Sequence, residues 1–385
     1  MSVVPAEPPG PAPGGRVTRA LRPRLKSGLV PLWRDQQTVQ IGLDPRRAVV
    51  VGGIGAQAAS ALRALDGRRR REEIVSGAGP SADALLSILD ARLLLDDADD
   101  PLPAAVRNLD EDARGRCGPE LAALALLHTA PGAATALFEA RRRRRVLLLG
   151  GGRVGAAAAH LLASSGIGRV TVVDDARVGV ADPCPGGVSP ADVGLRRSAA
   201  VEALCVRALP PALASGPPDV AVWCQDGPAP LEAAVWEPLL TAGTALLPVT
   251  IRELTAVVGP MMLPDALPVT GCPACMDLHR GDRDPSWPIL HRQLAQAGRG
   301  APGTATAALV AAAAGTATGQ ILELLDRRAL GRDPTSAPDP IGTAGASVEL
   351  SLPGWAWRRR WWGAHPDCTC TPRTREQAGG TMMGR

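Results

Sequence analysis

Between residues 146 and 249 the chain alternates between short apolar runs and longer amphipathic stretches. The apolar runs predict strands at 146–149, 170–173, 220–223 and 245–249. The stretches between them predict helices over 154–164, 196–208 and 231–241. Alternating strands and helices favour a parallel sheet with crossover helices. We therefore expect an α/β fold with a Rossmann-like, mostly parallel sheet.

A different pattern precedes this region. Apolar runs at 29–33, 38–41 and 48–51 predict three short strands, and periodic stretches at 56–65, 70–75 and 82–93 predict three helices. This order predicts a small α+β winged-helix-like domain. We place a disordered Pro/Gly tail at 1–20, the small domain at 21–97, a linker at 98–118, the nucleotide-binding domain at 119–375 and a tail at 376–385.

The pattern becomes looser after residue 261. It predicts a cysteine-containing loop, helices at 288–297 and 304–326, and an irregular end that contains Trp and Cys. The apolar stretch from 305 to 322 is mostly Ala with Thr and Gly, and a membrane span needs about 20 strongly apolar residues. We therefore interpret it as a buried helix and expect no membrane span.

Composition adds few constraints. The net charge of +4 is small, and Arg is interspersed with Asp and Glu, so no nucleic-acid partner is expected. The five arginines at 141–145 are interpreted as a solvated helix end. No secretion signal is visible, and the eight cysteines then indicate thiols or metal ligands in a reducing, cytoplasmic compartment.

A glycine-rich turn follows the first predicted parallel strand. Gly150, Gly152 and Gly155 fit the GxGxxG pattern, and Arg153 lies within it. Such a turn brings backbone N–H groups at a helix start close to phosphate. Asp174 and Asp175 follow the next strand about twenty residues later, where an acid can bind ribose hydroxyls. These residues predict a nucleotide site, although the glycines also suit tight packing without a ligand.

Two cysteine pairs form the second signal. Cys272 and Cys275 are separated by Pro-Ala, and Cys368 and Cys370 by one Thr. Two close pairs in loops are typical of a four-thiolate Zn²⁺ site with a structural role. The alternative is a set of unpaired surface cysteines.

Together these motifs resemble the ThiF/MoeB group of ubiquitin-activating-type adenylyltransferases. The resemblance covers roughly residues 119–375 and includes Gly150–Gly155, the phrase from Gly166 to Asp174, and both cysteine pairs. It implies binding of ATP and Mg²⁺, adenylation of the C-terminal carboxylate of a small carrier protein or peptide, and a homodimer. Asp226 stands where the family has its magnesium-associated aspartate, and Arg197 where it has an ATP-contacting lysine.

The segment after Asp175 departs from the family pattern. The family has a second acid, an Asn and an Arg-Gln pair that touch the phosphates, whereas here the Arg-Gln pair is absent and Asp182 stands about where the Asn would be. Arg197 keeps the charge of the lysine but not its shape. Nucleotide binding is therefore better supported than adenylation.

The small domain at 21–97 is similar to the winged-helix modules that precede ThiF-like domains in proteins that modify ribosomal precursor peptides. There the module binds a leader peptide as an added strand, whereas a packing or dimerisation domain is the alternative here. Three functions stay open: an adenylating enzyme, a degenerate scaffold that presents a leader peptide to a partner enzyme, and an NAD(P)-binding oxidoreductase. The third is disfavoured because Tyr is absent and Lys26 is the single lysine.

Overall fold

The chain forms two compact units, Met1–Glu139 and Ala140–Arg385. The computed structural model describes residues 3–5, 19–45, 47–212, 214–227, 230–297, 304–336 and 340–370. The tail predicted at 376–385, and the tail predicted at 1–20 apart from residues 3–5 and 19–20, lie outside the described residues.

The first unit contains two small antiparallel sheets and a set of helices. Its strands are β1 (Val3–Pro5), β2 (Pro23–Leu25), β3 (Pro31–Trp33), β4 (Val39–Ile41), β5 (Val49–Val51) and β6 (Leu95–Asp97). Its helices are α1 (Ala56–Arg63), α2 (Arg71–Ala78), α3 (Pro80–Ala91), α4 (Ala104–Arg107), α5 (Glu111–Leu127) and α6 (Ala133–Arg142), the last of which crosses into the second unit.

The main sheet of this unit has the strand order β1-β5-β4-β3. Val39, Ile41 and Val51 point into the core, where they join buried side chains of α3 such as Leu85 and Leu89. The three strands and three helices predicted for residues 21–97 are all present. Their interpretation as a winged-helix module stays a prediction.

The segment predicted as a linker, 98–118, is largely helical. It contains α4 and the first half of α5. The Asp110 carboxylate accepts a 2.7 Å hydrogen bond from the Ala113 N–H and so caps α5, while Ala113 and Cys117 are buried. Three of the acidic residues that suggested a linker, Asp110, Glu111 and Asp112, form the cap and first turn of a helix.

The second unit is built on one sheet. Its strands are β7 (Arg145–Leu149), β8 (Arg169–Val173), β9 (Val220–Gln225), β10 (Ala245–Arg252), β11 (Thr255–Val258), β12 (Ala346–Ser351) and β13 (Ala356–Trp361). Its helices are α7 (Arg153–Ser164), α8 (Arg197–Ala208), α9 (Ala233–Thr241), α10 (Leu267–Thr270), α11 (Pro273–Arg283), α12 (Trp287–Ala297) and α13 (Ala307–Ala329), with short 3-10 turns at Pro190–Asp192 and Pro264–Ala266.

The sheet has the strand order β13-β12-β11-β10-β9-β7-β8. The four predicted strands β8, β7, β9 and β10 are parallel to one another, which confirms the Rossmann-like α/β fold class. β11, β12 and β13 extend it with antiparallel pairs. Residues 346–361 of the end predicted as irregular thus form a β-hairpin, which was missed because β13 is mostly exposed and rich in Arg, whereas residues 362–370 contain neither helix nor strand.

Helices α7 and α13 pack together on one face of the sheet. The run Ala156–Ala159 of α7 is buried, and its small side chains let the helices approach closely. Among the described residues, α13 is long and apolar enough to span a membrane. Its buried side chains belong to the main core of this unit, as expected for a core helix.

Two of the five arginines at 141–145 contradict the solvated helix end that the sequence suggested. Arg141 and Arg142 are each only 5% exposed. Nε and Nη2 of Arg141 donate hydrogen bonds of 2.9 and 2.6 Å to the buried carboxylate of Asp326. A bidentate buried pair of this kind satisfies both charges, so the end of α6 is tied to α13.

Candidate functional site

The glycine-rich turn joins β7 to α7. Gly150 has φ +108°, and a Cβ there would lie 2.3 Å from the carbonyl oxygen of Cys224 on β9. A Cβ on Gly155 would lie 2.0 Å from the carbonyl oxygen of Gly150. Both positions therefore require glycine, because a side chain at either one would clash with a backbone carbonyl oxygen.

The start of α7 is bound by a carboxylate of the protein itself. Asp226 Oδ2 accepts a 2.7 Å hydrogen bond from the Arg153 N–H, and Oδ1 accepts a 3.1 Å bond from the Val154 N–H. A Cβ on Gly152, the residue that precedes the helix, would lie 2.3 Å from Asp226 Oδ2. The missing side chain at Gly152 thus leaves room for Asp226 at an anion-binding helix start.

Asp226 follows the end of β9 and lies mostly out of contact with solvent. Burial raises the pKa of its carboxyl above the ordinary value, although the two backbone N–H bonds and the charge of Arg197 act to lower it. The charge of a poorly solvated carboxylate is stabilised when a cation binds beside it. Another anion can also replace such a carboxylate as the acceptor of the two N–H groups.

Asp174 binds the same turn from the neighbouring strand β8. Its Oδ2 accepts a 2.8 Å hydrogen bond from the Gly151 N–H, and Oδ1 accepts a 2.9 Å bond from the Ala176 N–H. Asp174 is thereby fixed at the carboxyl edge of the sheet, where it was predicted. Asp175 is exposed and makes no hydrogen bond or ion pair within the described part of the chain.

Arg197, the first residue of α8, is held between two acids. Its Nε and Nη2 donate hydrogen bonds of 2.9 and 2.8 Å to Asp182, and Nη1 lies 3.4 Å from Asp174 Oδ2. Burial opposes the charged form, but the hydrogen bonds and charges of these acids prevail and raise the pKa of Arg197. The cation predicted to meet phosphate is therefore already neutralised by Asp182.

The Arg153 side chain turns away from the glycine turn towards the crossover segment. Its Nη1 donates a 2.8 Å hydrogen bond to the carbonyl oxygen of Ala181. Its Nε is buried and has no hydrogen-bond partner within the described residues. The backbone of Arg153, rather than its side chain, thus contributes to the anion-binding helix start.

The structure brings most of the predicted nucleotide-site residues together at the carboxyl edge of β7, β8 and β9. Those that meet there are Gly150, Gly152, Gly155, the Arg153 N–H, Asp174, Arg197 and Asp226. Asp175 stays apart from them. The role of Asp182 as the bidentate partner of Arg197 was missed. Its position where an Asn was expected was a signal, since an acid there has a nearby cation to bind.

The four predicted cysteines form a compact cluster. Sγ of Cys272 lies 3.8 Å from that of Cys275 and 3.6 Å from that of Cys368, and Sγ of Cys275 lies 3.3 Å from that of Cys370. Four thiolates around one tetrahedral ion with bonds of about 2.3 Å would be separated by about 3.8 Å. The donor set and its spacing fit such an ion.

His365 lies beside this cluster. Its Nε2 is 2.9 Å from Asp282 Oδ2, and its Nδ1 accepts a 3.1 Å hydrogen bond from the Asp367 N–H. The hydrogen bond from Cys272 lowers the pKa of the Cys275 thiol, and the backbone N–H of His365 contributes in the same direction. The residue therefore supports the thiol cluster from outside and does not replace one of the four cysteines.

One segment of the chain matches a known protein family. Residues 129–212 match the model of the ThiF family. This segment contains the glycine turn, Asp174, Asp182 and Arg197, whereas Asp226 and the four cysteines lie beyond it. No match was found among curated proteins.

Solved structures share the fold over almost the whole chain. The microcin C7 biosynthetic enzyme MccB, solved in complex with N-formylated MccA, is 13% identical at a TM-score of 0.61, over 90% of this chain and 99% of that one. E. coli MccB solved with ATP gives the same values. PaaA is 17% identical at a TM-score of 0.61, over 87% of this chain and 98% of that one. At these identities the likeness establishes the fold.

Proposed function

We propose that this chain, which carries a ThiF-family domain, uses ATP to adenylate the C-terminal carboxylate of a small carrier protein or peptide. The observation that carries this proposal is the convergence of the α7 start, Asp174 and Asp226 at one edge of the sheet. The similar fold of MccB, which has been solved with ATP, supports the choice of nucleotide.

In this reaction a carboxylate oxygen of the substrate attacks the α-phosphorus of ATP. A new P–O bond forms the acyl-adenylate, and the bond to the β-phosphate breaks to release pyrophosphate. The N–H groups of the glycine turn would bind phosphate oxygens, and Asp174 would accept hydrogen bonds from the ribose hydroxyls. Arg197 would help to balance the charge that develops on the phosphates.

Asp226 is the residue that would hold Mg²⁺. Its carboxylate is the hard oxygen donor that this ion prefers, and it lies at the helix start where the phosphates are expected. The ion would supply charge neutralisation of the phosphates when bound.

The second candidate is a degenerate scaffold that binds a precursor leader peptide for a partner enzyme. The bidentate Asp182–Arg197 pair favours this alternative, because it neutralises a cation that adenylation requires. In this case the fold and peptide binding would persist without nucleotide chemistry.

ATP–pyrophosphate exchange in the presence of candidate precursor peptides separates the two functions. We expect peptide-dependent exchange in the wild-type protein and a loss of about a hundredfold or more in Asp226→Asn, because one electrostatic contact to the transition state contributes roughly this much. Glu323→Gln, at a half-buried position of α13 whose partner is Arg327 and not a residue of the site, serves as the matched control and should keep wild-type exchange.

Tight peptide binding without any exchange would contradict adenylation and support the scaffold. Equal exchange rates in wild type and Asp226→Asn would show that Asp226 takes no part in the reaction.

We also propose that the first unit binds its peptide partner by strand addition at the edge of β5. This edge already accepts a strand, since Val3, Val4 and Pro5 pair with Val51, Val50 and Val49 in antiparallel register. The complex of MccB with MccA supports a peptide as the partner. Backbone hydrogen bonds would give the affinity in such a mode.

A double substitution tests this edge. Because Pro5 has no N–H, Val3→Pro with Val4→Pro removes every hydrogen-bond donor of β1 and should free the edge. A labelled peptide with the sequence of residues 1–8 should then bind at least about tenfold more tightly than it binds wild type, where the tethered segment competes at high effective concentration. Fluorescence anisotropy measures both affinities.

Val3→Thr with Val4→Thr keeps the donors and should behave as wild type does. The proposal fails if the peptide binds the double-proline variant and wild type equally, or binds neither.

We further propose that the four-cysteine cluster holds Zn²⁺ in a structural role. The spacing of the thiols fits a closed tetrahedral site, and a closed site has no open coordination position for chemistry. It would tie residues 368–370 to the start of α11, and metal binding would add to the free energy of folding.

Elemental analysis of the purified protein should find about one zinc per chain, and Cys272→Ser should lower both the zinc content and the melting temperature. Cys205→Ser, at a buried thiol outside the cluster, is the matched control and should keep its zinc. A wild-type zinc content near zero would disprove the site.

The family resemblance also supports a cytoplasmic homodimer. Light scattering at several protein concentrations compares the mass in solution with the 39.7 kDa of one chain. A mass that stays at one chain would contradict the dimer.

A further inference from the structure

The antiparallel half of the large sheet has one polar face. The register places Arg252 of β10, Thr255 of β11, Ser351 and Glu349 of β12, and Arg360 of β13 on the same side. The opposite side carries apolar residues and packs against α13. These five residues are half-buried, and each of their buried polar groups needs a partner.

Arg252 is the residue on this face whose charge is least compensated. Its Nε is buried and has no acceptor, and the side chain makes no hydrogen bond or ion pair with any residue that the structure describes. Burial, followed by the nearby charge of Arg280, lowers the pKa of Arg252 to about 10. A mostly buried cation without a partner is unfavourable, and a bound anion would relieve it.

The charge of Arg280 acts on Arg252, and that of Arg360 acts on Arg280; both of these arginines are already paired with an acid. Nη1 of Arg280 on α11 lies 3.1 Å from Asp277 Oδ1, and Nε of Arg360 lies 3.3 Å from Glu349 Oε1. The third acid whose charge acts on Arg252 is Glu253, which is exposed. Arg252 is therefore the cation of this cluster that has no hydrogen-bonded acid among the described residues.

The ring of Trp362 packs against Arg280 and Arg360, the two other arginines of this cluster. The guanidinium carbons of Arg280 and Arg360 lie 5.0 and 5.4 Å from the ring centroid of Trp362. Trp362 is 3% exposed, and its Nε1 donates a 2.8 Å hydrogen bond to Ser347 Oγ. The cluster is therefore preorganised rather than a set of flexible surface side chains.

The cluster lies at the same edge of the sheet as the nucleotide site. Thr250 pairs with Gln225 of the adjoining strand β9, Asp226 follows Gln225 directly, and Arg252 lies two residues beyond Thr250. Arg252 and Asp226 thus stand at the carboxyl ends of neighbouring strands. A substrate whose C-terminus reaches Asp226 would place its preceding residues near Arg252.

We propose that Arg252, in a cluster with Arg280 and Arg360, forms a specificity site that binds a carboxylate side chain of the peptide substrate. The inference rests on the proposed function for the identity of that substrate. The planar guanidinium of Arg252 would bind a carboxylate through two parallel hydrogen bonds, and the ligand would supply the hydrogen-bonded acid that Arg252 lacks. The precursor would therefore carry Asp or Glu shortly before its C-terminus.

Binding without nucleotide tests the site apart from catalysis. The probes are the peptide Ac-Ala-Ala-Glu-Glu-Ala-Ala, its Gln-Gln counterpart and inorganic phosphate, with affinity measured by calorimetry and the melting temperature as a second readout. Wild type should bind the Glu peptide at least about tenfold more tightly than the Gln peptide, since a charged hydrogen-bonded pair contributes roughly this factor.

Arg252→Met should remove this preference, and without ligand it should melt at or above the wild-type temperature because an unpaired cation has been removed. Arg283→Met makes the same change at an exposed arginine that also faces Trp362, 5.3 Å from its ring centroid, and should keep the preference. A purely structural role for Arg252 would instead lower the melting temperature without changing the preference.

Three results would overturn the proposal: equal binding of the Glu and Gln peptides, binding of phosphate alone, or equal loss in Arg252→Met and Arg283→Met. Because no step uses ATP, failure here leaves the exchange result untouched. Conversely, if the protein shows no exchange activity but still prefers the Glu peptide, the adenylation proposal is contradicted and the carboxylate site at Arg252 is supported.

Discussion

The two hydrogen bonds from the start of α7 to the Asp226 carboxylate organise the site. They join β9 to the helix that follows β7, and they depend on glycine at position 152, where a side chain would occupy the space of the carboxylate. A helix start binds anions whatever their origin. Without ligand the protein supplies this anion itself, so a nucleotide phosphate would have to take over N–H groups that Asp226 now holds.

The same edge of the sheet shows how charge is distributed around that helix start. Arg197 is neutralised by Asp182, whereas Arg252, on the strand beside β9, has no hydrogen-bonded acid among the described residues. A guanidinium with a bidentate acid is a poor partner for phosphate, and one without an acid is a good partner for a carboxylate. The guanidinium that is free to bind an anion is therefore Arg252, on the proposed path of the substrate, and not Arg197, which lies at the expected phosphate position.

The sequence predicted the parallel half of the second unit well, because β9 and β10 are continuous apolar runs and the glycine turn has a distinct pattern. The predictions from the sequence were wrong where contacts between residues far apart in the chain determine the structure. β13 is exposed and rich in Arg, so no periodicity marks it. Arg141 is buried against Asp326, and Arg142 donates a hydrogen bond to the carbonyl oxygen of Pro210; both partners are far away in sequence. The Asp182–Arg197 pair and the surroundings of the Arg252 guanidinium also depend on residues that only the fold brings together.

The occupation of the anion site by Asp226 is tested most directly by the affinity for ATP. This affinity is measured in EDTA and compared between wild type and Asp226→Asn. If the Asp226 carboxylate occupies the anion site, its neutralisation should strengthen ATP binding in the absence of divalent ions, since a competing charge has been removed. Unchanged or weaker binding by Asp226→Asn under these conditions would contradict the claim that this carboxylate holds the place of a phosphate.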